Sequence, residues 1–199
     1  MFIDKNGEVR MPKAYLAGFH IFYPDHIERG EALKELCLKY GIIGIYPEDE
    51  EPKDQFPPYE MQGDAPREIE RFYFTRDVNH IRRSDMILAQ LEDYHGCEPD
   101  SGTAFECGVA AALGHHLYAY TNSTSPMLER LNCEKHQRPD GDWEDQDGNK
   151  IENFGYPLNL MLSGTMKVAD SFENMLKMAR ADFDAQLVAA GYEPFKVAE

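Results

Sequence analysis

Short apolar runs alternate with amphipathic stretches between residues 13 and 122, and this alternation constrains the fold more than any other feature of the chain. Four runs are predicted to be strands: 13–19, 41–46, 86–91 and 116–120. Three amphipathic stretches between them are predicted to be helices: 25–40, 66–83 and 102–113. A β-α-β-α-β-α-β order indicates a parallel sheet with helices on both faces. We therefore predict an α/β fold, Rossmann-like or flavodoxin-like, in which ligands bind at the carboxyl ends of the strands.

The rest of the chain is interpreted as additions to one domain spanning residues 1–199, a length that fits a single domain. Residues 1–12 form a leading segment. Residues 121–155 form a polar insertion, with a hairpin expected at 143–154 around a tight Asp-Gly-Asn turn. Residues 170–190 form a closing amphipathic helix.

Charge and composition exclude several classes of function. The chain has 20 Lys and Arg against 36 Asp and Glu, for a net charge of −16. Such a chain is repelled by nucleic acid and lacks the basic patch that anionic membranes attract. Its longest apolar runs are about seven residues, against roughly 20 for a membrane helix. With no signal-type leader at its start, we expect a cytoplasmic protein.

The cysteines and acidic clusters do not predict a metal site. Four cysteines without a CxxC spacing indicate reduced, mostly buried thiols rather than a zinc site. The acidic residues at 145–152 do not meet the spacing of a calcium loop. We expect no metal and no organic cofactor.

Two carboxylates occupy helical positions where an acid is unfavourable. Glu106 lies on the apolar row of the helix at 102–113, and Asp77 lies in a row with Ile69, Tyr73 and Ile81. A buried carboxylate is costly unless it is paired or used in chemistry. Either acid alone is open to a structural interpretation, as a salt-bridge partner or a cap.

Together the two acids favour glycosyl chemistry. Helices that follow successive strands would bring Asp77 and Glu106 to the carboxyl edge of the sheet, where their pKa values separate. One acid can then attack an anomeric carbon while the other handles protons of the leaving group. Asp100 or Ser101 is predicted to cap the helix that carries Glu106. Asp85, at a helix-to-strand turn, is interpreted as structural.

Four segments of the chain, in order, carry a resemblance to a known family. They are Tyr15-Leu16-Ala17-Gly18, then Asp77-Val78-Asn79-His80-Ile81 followed by Ser84-Asp85, then Asp100-Ser101-Gly102-Thr103-Ala104-Phe105-Glu106-Cys107-Gly108, and Pro157-Leu158-Asn159-Leu160-Met161. Together they resemble the nucleoside 2-deoxyribosyltransferase family over residues 13 to about 164.

The resemblance implies an activity and a role for each matched residue. The family transfers 2-deoxyribose between nucleobases with retention, through a covalent deoxyribosyl-enzyme. Glu106 matches the nucleophile, Asp77 the acid that exchanges a proton with the base, and Tyr15 the tyrosine that orients the nucleophile. Asp100 matches a carboxylate near the 5′-hydroxyl. Asn159 matches an asparagine that reaches the substrate of a neighbouring subunit, which implies at least a homodimer.

The resemblance also implies further contacts and partners. Gly18, Ser101 and Gly102 lie in the matched segments and are expected to contact the substrate. The ligands would be deoxynucleosides and free nucleobases, with purine salvage as the role, and no cofactor is implied. From its position near a helix N-terminus, we expect Glu106 to remain anionic.

Aromatic residues near the sheet edge are candidates for stacking on the base: Phe19, Phe22, Tyr23, Phe56 and Tyr59. Ordinary packing explains each of them equally well. The long acidic loop at 48–64 and the insertion at 121–155 depart from the compact form of the family, so both are expected to shape the base pocket or the subunit interface.

Two other functions remain open at the level of the sequence. The first is an N-glycosidase that hydrolyses deoxynucleosides or their 5′-monophosphates, although Asp100 would repel a 5′-phosphate. The second is a non-catalytic nucleotide-binding module on the same scaffold, because a fold does not determine a function.

Overall fold

The computed structural model describes residues 7–52, 57–61, 67–96 and 98–194. Its strands, in chain order, are β1 (Lys13–Ala17), β2 (Ile43–Ile45), β3 (Met86–Gln90), β4 (His116–Tyr120), β5 (Lys135–Gln137), β6 (Trp143–Asp145), β7 (Lys150–Ile151) and β8 (Lys167–Ala169). Its α-helices are α1 (His26–Lys39), α2 (Glu68–Arg82), α3 (Ser101–Ala112), α4 (Met127–Arg130), α5 (Leu160–Ser163) and α6 (Phe172–Ala189).

The main sheet has five parallel strands in the order β2-β1-β3-β4-β8, so the predicted α/β fold is confirmed. Each of the four predicted strands is present. The fifth, β8, was not predicted, because it is only three residues long and its first residue is a lysine. It pairs with β4 through Tyr118 and Lys167, and it leads directly into α6.

The central strands are buried on both faces, which explains why they read as continuous apolar runs. Along β3, Met86 and Leu88 pack under α1 and α6, whereas Ile87 and Ala89 pack under α2 and α3. We call these the α1/α6 face and the α2/α3 face. Each face has its own apolar cluster, so the sheet edge is supported from both sides.

The helix ends differ in part from the sequence expectations. Gly41, with a φ of 68°, follows the last turn of α1. Asp25 precedes α1 in a sequence typical of a capping box, but its carboxylate accepts from Arg29 Nε at 2.8 Å and no cap hydrogen bond forms. Ser171, rather than Asp170, caps α6. The predicted helix start at Pro66 lies outside the described residues, and α2 begins at Glu68.

The polar insertion contains the predicted hairpin, formed by β6 and β7. Asp145 Oδ1 accepts from the backbone N–H groups of Asp147 and Asn149, each at 2.9 Å, and thereby shapes the turn. A third strand, β5, was missed because its sequence, Lys-His-Gln, has no apolar residue.

The base of the insertion is fixed by Arg130, a largely buried side chain. Its Nη1 donates to Asp93 Oδ1 at 2.5 Å, in the segment that follows β3. Its Nη2 donates to the carbonyl of Pro157, two residues before Asn159. One guanidinium therefore joins the end of the insertion to the edge of the main sheet.

Asp85 has the structural role expected of it. It accepts two hydrogen bonds from Arg10, at 2.7 and 2.6 Å, and one from the Lys13 backbone N–H at 2.8 Å. These bonds hold residues of the leading segment against the start of β1 and β3.

Three of the four cysteines, Cys37, Cys107 and Cys133, are described and are free thiols, the first two buried. Cys97 lies outside the described residues. Among the described helices, none is long and apolar enough to cross a membrane.

Candidate active site

The order of the strands creates a crevice between β1 and β3. The chain leaves β1 through α1 on one face and leaves β3 through α3 on the other, so the connections diverge at the carboxyl ends of these two strands. Open α/β sheets bind their ligands at such a switch point. Tyr15 of β1 lies here, fully buried, on the α2/α3 face.

Tyr15 and Glu106 form the central contact of the site. The Tyr15 hydroxyl donates to Glu106 Oε1 at 2.6 Å, a short distance typical of a charge-assisted bond. Residues 91 positions apart in sequence are thus joined by the packing of α3 on β1. Beside them a cavity of about 170 Å³ opens between α2 and α3. Its lining combines two carboxylates with apolar groups: Phe74, Asp77, Val78, Ile81, Gly102, Phe105 and Glu106.

Burial is the dominant influence on the Glu106 carboxyl group. It raises the pKa of Glu106 to about 8, helped by the charges of Asp77 and Asp100 and opposed by the hydrogen bond from Tyr15. Burial therefore opposes the anionic form that was expected for Glu106 from its position near the helix N-terminus. Glu106 is the sixth residue of α3, beyond the first turn where the helix dipole acts, so desolvation prevails.

Asp77 faces the same cavity from α2. Burial raises its pKa, although Arg76 Nε donates to Asp77 Oδ1 at 3.1 Å and acts in the opposite direction. The predicted apolar row of α2 is only half correct: Ile69 and Tyr73 are exposed, whereas Ile81 is buried. Two carboxyl groups with raised pKa values thus line one small cavity.

Asp100 caps α3, as predicted from the sequence. Its Oδ2 accepts from the Thr103 backbone N–H at 2.8 Å and from Thr103 Oγ1 at 3.0 Å. A Cβ at Gly102 would lie 3.1 Å from the same Oδ2, so this turn is tightly closed. Gly102 lines the cavity, whereas Ser101 is exposed at the start of α3.

Asn159 lies at the N-terminus of α5. Its Oδ1 accepts from the Met161 backbone N–H at 2.9 Å, and its Nδ2 donates to Glu152 Oε2 at 3.1 Å. In the part of the chain that the structure describes, no hydrogen bond joins it to Tyr15 or Glu106. The structure therefore does not bring Asn159 into the cluster within one chain.

Gly18 ends β1 and is buried against two side chains of the α1/α6 face. A Cβ at this position would lie 2.4 Å from His20 Cε1 and 2.6 Å from Gln90 Cβ. Gly18 thus permits close packing at the crevice, while the cavity that holds Glu106 opens on the other face.

Of the predicted stacking residues, Phe19, Phe22 and Tyr23 lie together near Tyr94, away from the cavity lining, whereas the Tyr59 ring lies 6.1 Å from that of Phe74, which lines the cavity. Phe19 is buried and stacks on Tyr94 with ring centroids 4.7 Å apart, and Tyr23 lies under Arg29. Phe22 is exposed, and the backbone N–H of Tyr59 donates to Asn79 Oδ1. Phe56 lies outside the described residues.

Two other aromatic residues line the cavity and were missed. Phe74 and Phe105 have ring centroids 5.8 Å apart, and Phe105 remains 54% exposed in this acidic chain. The signal was available in the sequence, because each lies within three residues of a carboxylate that was singled out.

The acidic loop is held over α2 by two buried polar residues that sequence reasoning also missed. Asn79 Nδ2 donates to Glu51 Oε2 at 3.1 Å, and His80 Nε2 lies 3.0 Å from the carbonyl of Asp49. The His80 ring also stacks against Tyr15, with centroids 6.4 Å apart. The loop is therefore anchored next to the residue that contacts Glu106.

Among the described residues, no three His, Cys, Asp or Glu side chains are grouped so as to hold a metal ion. The chemistry that this site offers is that of its two carboxyl groups and one tyrosine.

The sequence profile of the nucleoside 2-deoxyribosyltransferase family matches residues 14–161, which include Tyr15, Asp77, Glu106 and Asn159. The chain belongs to this family. A 2-deoxyribosyltransferase structure from Leishmania mexicana is 30% identical, covers 85% of this chain and 97% of its own, and superposes with a TM-score of 0.65.

Two further relatives extend the likeness. A conserved protein from Enterococcus faecalis shares the fold at 22% identity and a TM-score of 0.50, over 86% of this chain and 99% of its own. An uncharacterized protein of Schizosaccharomyces pombe is 27% identical over 85% of this chain and 84% of its own. Membership of the family supports an enzymatic activity of glycosyl transfer or N-glycosidase type.

Proposed function

We propose that this protein transfers 2-deoxyribose between nucleobases, with retention, through a covalent intermediate on Glu106. The observation that carries the proposal is the 2.6 Å bond from Tyr15 to Glu106 beside a cavity that also holds Asp77. A nucleophile, an orienting donor and a second carboxyl group are the parts that a retaining double displacement needs.

In the first half-reaction, Glu106 in its anionic form attacks C1′ of a deoxynucleoside. Tyr15 bonds to Oε1, which leaves Oε2 to form the new C–O bond. The N-glycosidic bond breaks, its electron pair goes to the base, and Asp77 in its protonated form supplies a proton to the departing nitrogen. The products are deoxyribosyl-Glu106, the free base and the Asp77 carboxylate.

The second half-reaction reverses these steps with another base. A ring nitrogen attacks C1′, the bond to Glu106 breaks, and Asp77 accepts the proton that the incoming nitrogen loses. Two inversions at C1′ retain the configuration. The reactive state has one proton on the carboxyl pair, located on Asp77.

Asp100 favours a substrate without a phosphate. Its Oδ2 serves the helix cap, and we assign Oδ1 to accept from the 5′-hydroxyl of the substrate. A 5′-phosphate would be repelled by the Asp100 carboxylate. We therefore propose nucleosides, with purines as the exchanged bases, rather than 5′-monophosphates.

Asn159 enters this proposal as a contribution from a second subunit of a homo-oligomer. Its place at the start of α5, with exposed Met161 two residues on, supports a surface role. We also propose a cytoplasmic location, which the free thiols of Cys37, Cys107 and Cys133 support.

The test is a two-substrate assay in which 2′-deoxyinosine is incubated with adenine and the products are separated by chromatography. New 2′-deoxyadenosine is expected, and thymidine as donor then tests the preference for purines. The matched variants are Glu106→Gln, which should abolish the product, and Asp182→Asn on the other face of the sheet, which should keep it.

Other outcomes would contradict the proposal. Hypoxanthine and free deoxyribose without a new nucleoside would identify water as the acceptor and make the protein an N-glycosidase. Turnover of 2′-deoxyinosine 5′-monophosphate but not of the nucleoside would reverse the proposed substrate class. Binding of a nucleoside without any cleavage would indicate a non-catalytic module.

A further inference from the structure

Glu152, near the end of the polar insertion, binds the residues that begin α5. Its Oε2 accepts from Asn159 Nδ2 at 3.1 Å, and its Oε1 accepts from the Leu160 backbone N–H at 2.5 Å. Both oxygens of the carboxylate are thus used on the segment that carries Asn159.

The two partners of the Asn159 side chain fix the orientation of its amide group. The Met161 backbone N–H needs an acceptor and binds Oδ1 at 2.9 Å, whereas the Glu152 carboxylate needs a donor and faces Nδ2. The flipped amide would place its NH₂ group against an N–H and its oxygen against a carboxylate. The side chain therefore has one defined orientation.

This orientation leaves a donor available. An amide nitrogen carries two hydrogens, and Glu152 takes one of them. Asn159 is partly exposed, and its second Nδ2 hydrogen has no acceptor among the residues that the structure describes. Asn159 thus offers an N–H to a ligand at the surface.

The backbone around Asn159 is held by contacts that do not involve Glu152. Leu158 is 1% exposed, and its carbonyl accepts from Ser163 Oγ at 3.1 Å. Arg130 binds the carbonyl of Pro157. Loss of the Glu152 carboxylate is therefore expected to release the Asn159 side chain while its backbone stays in place.

We propose that Glu152 is a positioning residue, which orients Asn159 so that its free N–H donates to the 5′-hydroxyl oxygen of a deoxynucleoside. The inference rests on the proposed function, in which Asn159 meets the substrate of a second subunit. The hydrogen of the same hydroxyl goes to Asp100 Oδ1, so the 5′-hydroxyl both donates and accepts. A 5′-methyl group does neither. The polar insertion thereby takes part in selecting the sugar.

The test compares 2′-deoxyinosine with 2′,5′-dideoxyinosine, which lacks the 5′-hydroxyl. Release of hypoxanthine in the presence of adenine gives kcat/KM for each, and their ratio is the preference for the hydroxyl. Glu152→Ala is expected to lower this preference about tenfold, since the hydroxyl loses one fixed hydrogen-bond donor. The kcat/KM for the dideoxynucleoside should stay unchanged. Equal losses on both substrates would make Glu152 a structural cap of α5 only and overturn the proposal.

A double-mutant cycle tests whether Glu152 acts through Asn159. Once Glu152 is replaced, Asn159→Ala should lower the preference no further, because the two residues act as one unit. Additive losses would contradict the proposal. The control is Glu144→Ala in the same insertion, where the carboxylate binds His136 and Arg138. It should leave the preference unchanged, and a tenfold loss there would point to the insertion as a whole instead of Glu152.

Exchanging the two groups separates structure from donation. In the double variant Glu152→Gln with Asn159→Asp, the new amide can donate to the new carboxylate and accept from the Leu160 N–H. The internal hydrogen bonds and the net charge are kept, but position 159 no longer carries a side-chain N–H. Thermal unfolding should match that of the wild-type protein, and the preference should be lost. A swapped variant that retains the preference would refute donation by Asn159.

Failure of the proposed transfer is recognised separately, by the absence of 2′-deoxyadenosine. Hypoxanthine release without that product gives the same ratio for hydrolysis, and binding without cleavage gives it as a ratio of dissociation constants from isothermal calorimetry. Either result would refute transfer and leave the inference standing if Glu152→Ala lowers the ratio. A wild-type protein without any preference for the hydroxyl would overturn the inference even where transfer occurs.

Discussion

Two tyrosine–carboxylate hydrogen bonds, one on each face of the sheet, accompany opposite shifts in the pKa of the carboxyl group. On the α2/α3 face, Tyr15 donates to Glu106 at 2.6 Å, and no salt bridge to Glu106 is present among the described residues. On the α1/α6 face, Tyr118 donates to Asp182 at 2.8 Å, and Lys167 binds the same carboxylate at 2.6 Å.

The difference between the two pairs appears in the pKa values. Burial raises the pKa of Glu106 to about 8, and the bond from Tyr15 does not overcome it. Burial also acts to raise the pKa of Asp182, but the bonds from Lys167 and Tyr118 outweigh it, so that pKa lies below its ordinary value. The two carboxyl groups therefore differ in burial as well as in partners: Glu106 is buried and bonded to a tyrosine, whereas Asp182 is partly exposed and bonded to a tyrosine and a lysine.

Glu106→Gln should give the largest effect on activity, because it removes the nucleophile and keeps the shape of the side chain. We expect transfer to fall at least about 10³-fold, measured as formation of 2′-deoxyadenosine. Asp182→Asn is the control on the other face and should retain activity. Equal losses in both variants would mean that the two carboxylates do not differ in function.

Asp77→Asn should reduce turnover by about 10²–10⁴-fold, since an amide cannot exchange a proton with the base. In the wild-type protein, kcat/KM is expected to fall above about pH 8, where the carboxyl pair loses its last proton. The variant also lacks the Asp77 charge that raises the pKa of Glu106, so its remaining activity should lose this alkaline limb. A profile unchanged by the substitution would exclude Asp77 as the proton carrier.

The stability of the two faces should respond to pH in opposite directions. In the folded protein the pKa of Glu106 is raised. Its favourable contribution to the free energy of unfolding is therefore present at low pH and is lost as the pH rises from 4.5 to about 8. The folded pKa of Asp182 is lowered, so its contribution is present above 3.8 and is lost as pH falls through the folded value.

Denaturant unfolding of the matched variants measures these contributions. Above pH 8, Glu106→Gln should raise the free energy of unfolding by roughly 2–4 kcal/mol, because one pKa unit corresponds to about 1.4 kcal/mol. Asp182→Asn should lower it by about 1 kcal/mol near neutral pH. A Glu106→Gln protein less stable than wild type above pH 8 would refute the unfavourable burial of this carboxylate.

Tyr15→Phe should have the smallest effect, a loss of about tenfold in kcat, since one hydrogen bond to an anion is removed while the ring stays in place. Without that donor the pKa of Glu106 should rise further, and the pH above which activity falls should rise with it. Tyr118→Phe removes the equivalent hydroxyl on the other face. It should change neither kcat nor the pH profile, and a shift in both variants would indicate a general loss of packing.

The fold was largely predictable from the sequence, because it depends on local patterns. Runs such as Met86–Gln90 are apolar over a whole strand, and glycines such as Gly41 end helices at recognisable positions. The edge strand β8 was not predictable in this way, since Lys167–Ala169 becomes a strand only by pairing with β4.

The sequence predicted the two carboxyl groups of the cavity, but neither its aromatic lining nor its electrostatics. Asp77 and Glu106 attract attention as acids in apolar rows, whereas the pKa of Glu106 depends on which cations fail to reach it in three dimensions.

Arg130 closes the polar insertion at its base. Its guanidinium binds both Asp93 and the carbonyl of Pro157. Arg130 and Pro157 lie 27 positions apart in sequence, and the chain between them forms the hairpin. Strands β5, β6 and β7 lie between Arg130 and Pro157 in the chain, so this contact holds the segment that carries Asn159 without depending on those strands. One arginine side chain thus fixes the position of residues 157–159 independently of the length of the insertion before them.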